Sequence, residues 1–325
     1  MTFAHCVRRI SGVCRLALRT HIIDTLQLGR PGVIAVVALE TSDGVVVFDT
    51  GPESTFQNVA AGLGTVGIRA RDVRHVFLSH IHFDHAGAAF RFAELGATVY
   101  VHPRGAPHLI DPARLRESAA RIFGDNMKRL WGEISAVPES SVRILQDNDT
   151  VRVGEFEIRA IETPGHASHH HVYHWDDVLF GGDVAGVRIR GGPPIPPFVP
   201  PELHIESWLT SLEKIGAVNP KTMYLPHFGE VTDSISEHLK AMAERVQRWS
   251  RWFQKKIQAG APENELPQQF AAYEHEDLAR GGASQQEIDD YEVADPSYMA
   301  VPAAVRYWRK YHGDDVLQAA PGRVN

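Results

Sequence analysis

The stretch Ser79-His80-Ile81-His82-Phe83-Asp84-His85-Ala86-Gly87 places three imidazoles and one carboxylate within six residues. Imidazole nitrogens and carboxylate oxygens are the donors that borderline divalent metals take. The apolar run His75-Val76-Phe77-Leu78 before the cluster predicts a buried strand, and the Ala-rich, Pro-free run from Ala86 to Leu95 predicts a helix. The cluster then lies on a strand-to-helix loop, where a rigid scaffold can aim side chains at one point. In an extended loop, residues two apart point the same way, which suits His80 and His82 to one metal. Asp84 and His85 come where the chain turns into the helix and can face a second metal. A solvated loop that happens to be His-rich is the alternative, and the ligand types downstream weigh against it.

Those ligand types recur after apolar strands. In Thr163-Pro164-Gly165-His166 a strand runs into a Pro-Gly turn that carries a histidine. His169, His170, His171 and His174 follow; not all can be ligands, and His166 is the candidate. Val178-Leu179-Phe180-Gly181-Gly182-Asp183 is an apolar strand ending in a carboxylate, with two glycines that let backbone come close to whatever Asp183 binds. Met223-Tyr224-Leu225-Pro226-His227-Phe228-Gly229 ends a third strand in a histidine. Upstream, Val33–Glu40 and Val45–Phe48 flank Thr41-Ser42-Asp43-Gly44, a hairpin signal. Asp49 closes the second of these strands. It either orients a metal-bound histidine from behind or caps a helix starting near Glu53, and the sequence leaves both open.

Gly62-Leu63-Gly64-Thr65-Val66-Gly67 matches the dinucleotide-binding pattern by letter. That motif works only with a strand before it and a helix N-terminus after it. Here a helical stretch precedes it, so it reads as a helix end and turn.

With H-x-H-x-D-H at 80–85, His166 in a T-P-G-H turn, Asp183 in G-D and His227, the chain resembles the metallo-β-lactamase superfamily of dinuclear metallohydrolases over roughly residues 20–231. The resemblance implies an α+β fold, a four-layer αββα sandwich with the site along one edge of two sheets. It implies that His80, His82 and His166 bind one metal, that Asp84, His85 and His227 bind another, and that Asp183 bridges them. A bridging aspartate is similar to the glyoxalase II and lactonase branches. A histidine four residues after the T-P-G-H histidine, here His170, would support the site from behind. Of the lactonase pattern, the tyrosine three residues after the bridging aspartate is replaced by Gly186, and no copy of the basic glutathione-holding signature of glyoxalase II is evident. Nor is there a flavodoxin-like partner region.

The chemistry follows from the donor set. Neutral imidazoles and carboxylates suit zinc, iron or manganese, so the expected cofactors are two divalent ions. Two such ions about 3.5–4 Å apart share a water and lower its pKa from about 15.7 to about 7, so that it attacks as a bridging hydroxide. Asp84 is placed to hydrogen-bond that hydroxide and then carry a proton to the leaving group. The expected reaction is hydrolysis of an ester, thioester or lactone of a small, partly apolar substrate. A mononuclear iron persulfide dioxygenase on the same fold is the alternative, and a sensing module with a vestigial site is disfavoured because no ligand is missing.

The elements beyond the ligands are less specific. Pro112–Gly132 reads as two helical pieces whose apolar stripe, Leu115 to Trp131, suits core or lid packing. Three short strands follow at Val142–Leu145, Thr150–Val153 and Phe156–Glu162. Gly191–Pro201 is a stiff, Pro-rich loop that forms either an apolar lip over the metals or a linker. Phe198 on that loop, with Tyr224 and Phe228 beside His227, are the candidate substrate contacts. Residues 1–231 are expected to form the catalytic domain and 232–325 a helical extension. Within that extension, Ile235–Ile257 and Val301–Tyr311 are helical and Glu274–Glu292 is acidic and polar. The extension is expected to flank the substrate entrance and to contribute to a homodimer contact.

At 325 residues with 43% hydrophobic and 22% charged content, the chain has the composition of a globular protein. A net charge of −7 leaves no basic footprint for nucleic acid or anionic membrane. No run approaches the ~18 apolar residues of a membrane span. Cys6 and Cys14 match no zinc spacing and make no disulfide framework. The Arg-bearing first twenty residues contain no continuous apolar core or cleavage site, so they read as a ragged extension of a cytoplasmic protein with reduced thiols.

Overall fold

The computed structural model describes residues 20–318; Cys6, Cys14 and the N-terminal arginines lie outside the described residues. Two six-stranded sheets face each other. The first runs, in spatial and chain order, β1 (Thr20–Asp24), β2 (Ala35–Thr41), β3 (Gly44–Phe48), β4 (Val73–Phe77), β5 (Thr98–Val101) and β6 (Val142–Ile144). The second comprises β7 (Thr150–Val153), β8 (Phe156–Glu162), β9 (His171–Trp175), β10 (Val178–Phe180), β11 (Thr222–Leu225) and β12 (Gly229–Glu230), also in chain order across the sheet. The hairpin β2–β3 forms as its turn residues require, with Thr41 opposite Gly44. From β3 through β6 the pairing is parallel.

Both faces of each sheet are covered, which explains why the strands read as unbroken apolar runs. Val37, Leu39, Phe48 and Phe77 of the first sheet meet Ile158, Ala160, Tyr173, Trp175 and Phe180 of the second. At the centre of that layer Phe48 stacks on Trp175 with ring centroids 4.5 Å apart. Alternate residues of the first sheet, Val36, Ala38 and Val76 among them, pack outward against helices Phe56–Thr65 and Ala89–Glu94. The outer face of the second sheet, through Ile161, Val172, Leu179 and Met223, packs on helix Ile205–Val218 and on the helices that follow residue 230. The result is the four-layer αββα sandwich.

Helix Ile235–Gln258 lays Leu239, Met242, Val246, Trp249 and Phe253 into this last core at alternating three- and four-residue spacing, the stripe of an amphipathic helix. Its N-terminus is capped by Ser234, whose hydroxyl accepts from the Glu237 amide at 3.3 Å. The remaining helices, Leu266–Arg280, Gln285–Ala294 and Ala300–Gln318, belong to the same core, so the C-terminal helices are packed onto the second sheet rather than standing apart. No described helix is long and apolar enough to cross a membrane.

The acidic stretch Glu274–Glu292 lies largely on two helices, where Asp277 and Asp290 are buried in ion pairs such as Arg245 Nε to Asp277 Oδ2 at 2.7 Å, while Glu274 Oε2 is buried without a hydrogen-bond partner. Two expectations need correction. The helical pieces Ala113–Phe123 and Met127–Trp131 are not core: only Ala119 is buried, and Ile122 is 44% exposed. The Pro-rich loop is no surface lip at Phe198, which is fully buried between Trp208 and Trp249. Ile195 and Phe198 anchor the loop in the core, and Tyr291 Oη donates to the Pro193 carbonyl at 2.7 Å.

Candidate metal centre

Strand direction builds the site. β3 and β4 are parallel, and β8, β10 and β11 share one direction in the second sheet, so their C-terminal ends meet at one edge. Asp49 follows β3, His80 to His85 follow β4, His166 follows β8, Asp183 follows β10 and His227 follows β11. The structure brings seven of these side chains into two adjoining groups, His80, His82 and His166, and Asp84, His85, Asp183 and His227. Each group draws on both sheets.

In the first group His166 Nε2 lies 3.2 Å from His80 Nε2 and 3.0 Å from His82 Nδ1. In the second, His85 Nε2 lies 3.4 Å from His227 Nε2 and 3.2 Å from Asp84 Oδ2. Asp183 spans the two: Oδ2 is 3.6 Å from His166 Nε2, while Oδ1 is 3.4 Å from His85 Nε2.

The outward ring nitrogens fix what the inward ones can do. His166 Nδ1 donates to the Pro197 carbonyl at 2.9 Å and His227 Nδ1 to the Val33 carbonyl at 3.0 Å. His85 Nδ1 donates to Asp49 Oδ2 at 2.8 Å. The Ser79 hydroxyl donates to the same oxygen, so it must accept from His80 Nδ1 at 3.0 Å. In all four rings the neutral tautomer therefore directs a lone pair inward. Lone pairs facing lone pairs and carboxylate oxygens repel one another unless a proton or a cation lies between them, and a metal ion would satisfy them together. Asp183 Oδ1, buried and without a hydrogen-bond partner, says the same. The donor set of imidazole and carboxylate fits divalent metal ions, of the kind for which zinc, iron and manganese are examples.

The electrostatics differ between the two groups. Burial, with neighbouring imidazoles adding to it, holds His80 and His82 well below the ordinary histidine range, and so in the neutral form a metal needs. Burial acts on His85 in the same sense, yet Asp183, Asp84 and Asp49 around it raise it well above that range. His82 and Asp84 are half-buried while the other five are buried, so solvent reaches the centre past these two.

Asp49 takes the orienting position: Ser79 N also donates to its Oδ1 at 2.7 Å. His170 stands behind the site without facing a metal, its Nδ1 paired with Thr163 Oγ1 at 2.9 Å and its Nε2 accepting from Val184 N at 3.4 Å. Gly182 is required here, since a Cβ would come within 2.4 Å of His170 Nε2 and the residue has φ of +52°. Tyr224 is buried in the layer between the sheets, and Phe228 is half-buried against the helical core; neither joins the two ligand groups. Sequence reasoning left Ser79, Thr163 and the Val33 and Pro197 carbonyls without roles. A serine directly before the first histidine was a usable signal; backbone carbonyls from remote loops carry none.

A family model described as the metallo-beta-lactamase superfamily matches residues 29–227. Protein ST1585 of Sulfurisphaera tokodaii, a metallo-beta-lactamase fold-containing protein, is 31% identical over 176 residues, covering 53% of this chain and 67% of its own. Its crystal structure superimposes with a TM-score of 0.59 at 26% identity, covering 71% of this chain and 85% of that one. A probable metallo-hydrolase of Bacillus subtilis, YqgX, is 27% identical over 172 residues, covering 50% of this chain and 71% of its own. The structure of TTHA1429 from Thermus thermophilus aligns over 90% of this chain and 93% of its own at 18% identity, with a TM-score of 0.65, and so shares the fold through the C-terminal helices as well. With its ligand groups at the sheet edge and the family model spanning them, the chain belongs to the metallo-beta-lactamase superfamily.

Proposed function

We propose that this protein is a dinuclear metal-dependent hydrolase acting on an ester, thioester or lactone. The carrying observation is Asp183, whose two oxygens face different histidine groups, the arrangement of a carboxylate shared between two ions. Bound metals would supply a hydroxide at neutral pH and polarise the substrate carbonyl. The chain's own residues do the rest. Asp49 and Ser79 hold His85 and His80 in the tautomers that keep their lone pairs inward. Asp84, half-buried on the solvent side, accepts a hydrogen bond from the attacking water and hands a proton to the leaving group.

Metal analysis by plasma mass spectrometry, followed by an ester and thioester panel, tests this reading. Two metals per chain, with activity lost in His82→Ala and Asp84→Ala, is the expected result. One iron per chain, with oxygen consumed in the presence of a persulfide, would replace it with a mononuclear oxygenase.

A further inference from the structure

Four of the five metal-facing rings have their outward nitrogen engaged, by Ser79, by Asp49, or by the Pro197 and Val33 carbonyls. His82 is the exception among the described residues. Its Nδ1 is the inward atom, 2.9 Å from His80 Nε2 and 3.0 Å from His166 Nε2, so its Nε2 is turned away from the centre. With the Nδ1 lone pair kept for a cation, Nε2 carries the proton of the neutral ring and needs an acceptor.

His169 lies beside it. The two rings stand at 88° with centroids 5.7 Å apart, and His169 also lies nearly parallel to His80 at 6.2 Å. The residue is 8% exposed, and its Nδ1 is buried without a hydrogen-bond partner. Its other nitrogen, Nε2, is 3.9 Å from Glu202 Oε2, an oxygen held in place by the Ser168 amide, which donates to it at 2.8 Å. Burial disfavours the charged ring, and the carboxylate draws its single proton to Nε2. That leaves on Nδ1 a desolvated lone pair that a donor would satisfy. The turn carrying His169 is itself fixed. Ser211 Oγ donates to the Pro164 carbonyl at 2.6 Å, and Gly165 lies so close to Trp208 that a Cβ would come within 2.4 Å of the Trp208 Cα.

A donor without an acceptor thus stands beside an acceptor without a donor. We infer that His169 is a positioning residue whose Nδ1 accepts a hydrogen bond from His82 Nε2 when the centre is loaded, with Glu202 fixing the tautomer behind it. This rests on the metal-dependent reading above. The role is separate from that of His170, whose ring is turned to Thr163 and Val184.

The test measures zinc affinity, by competition with a chromophoric chelator, in wild type and three variants. His169→Leu removes the acceptor. In His169→Asn the side-chain oxygen sits where Nδ1 does and still accepts, whereas the amide of His169→Gln reaches the Nε2 position instead. The Leu and Gln variants should each bind one of two zinc ions about 10- to 100-fold more weakly and the other as wild type does. His169→Asn should recover most of that loss, which a packing role would not allow. Should the leucine variant fail to fold, the polar pair carries the comparison. Wild-type affinity in His169→Gln, equal losses in the Asn and Gln variants, or equal losses at both ions would each overturn the inference. Wild type that binds a single zinc would overturn the dinuclear reading alone, and the Asn and Gln comparison at that ion then decides the role of His169. Wild type that binds none would overturn both.

Discussion

Asp49 Oδ2 accepts a hydrogen bond from His85 Nδ1 at 2.8 Å, from the far side of the ring that faces Asp183. Asp49 itself has φ of +54°, a conformation that asparagine tolerates as well as aspartate. Asp49→Asn should therefore keep the backbone while losing the acceptor that fixes the His85 tautomer. We expect metal affinity to fall roughly 10- to 100-fold. Competition with a chromophoric chelator measures it, and an affinity equal to wild type would remove Asp49 from the site.

Asp183→Asn should lower occupancy of both metals, because each oxygen serves a different group. His166→Ala should lower one. Metal-to-protein ratios after dialysis distinguish the two patterns, and equal losses in the two variants would contradict a shared carboxylate.

Chelator treatment should lower the melting temperature of loaded protein. Re-addition of zinc at a hundred times its dissociation constant should restore about 2.7 kcal/mol of stability. Calorimetric scans with and without chelator give the difference directly.

Acid should destabilise the protein before most of its carboxylates protonate. Burial pushes His238 down to about 4, and its Nε2 donates to the Ala185 carbonyl at 2.7 Å. In the unfolded chain a histidine takes its proton near pH 6.5. Above about pH 6.5 neither state is charged and the group contributes nothing to the pH dependence. Between about 6.5 and 4 the unfolded chain binds a proton that the folded one refuses, so stability declines as pH falls, by about 3 kcal/mol at the lower limit. His171, buried and pushed down to about 3, acts in the same direction. Urea titrations at several pH values should show His238→Gln losing less stability between about pH 7 and 4.5 than wild type does.

Phe198→Ala should act on stability first. A fully buried phenylalanine between two tryptophans leaves a cavity costing about 3–5 kcal/mol. A variant with unaltered urea midpoint would return Phe198 to the surface role suggested by its Pro-rich surroundings.

The ligand set was legible because each ligand follows an apolar strand in sequence, so one local pattern repeats at His80, His166, Asp183 and His227. The hairpin β2–β3 and the stripe of helix Ile235–Gln258 were legible for the same reason, since period and turn chemistry are local. Phe198 misled because a Pro-rich stretch signals irregular backbone without saying on which side it is covered. The stripe Leu115–Trp131 misled because periodicity gives a helix a face but no partner. The burial of acidic residues in the C-terminal helices could not be seen, since Asp277 is paired with Arg245 and Arg248 from a helix about thirty residues away in sequence.

That each ligand group draws on both sheets has a consequence for how the protein matures. His80, His82, Asp84 and His85 are synthesised long before His166, Asp183 and His227, so a nascent chain first holds two of the three members of one group and two of the four of the other. Neither ligand group is complete until the chain has been made through residue 166 for His166, 183 for Asp183 and 227 for His227 and the two sheets have docked. Metal acquisition is thus a late checkpoint, one that a correctly folded chain passes and a truncated or half-folded one cannot.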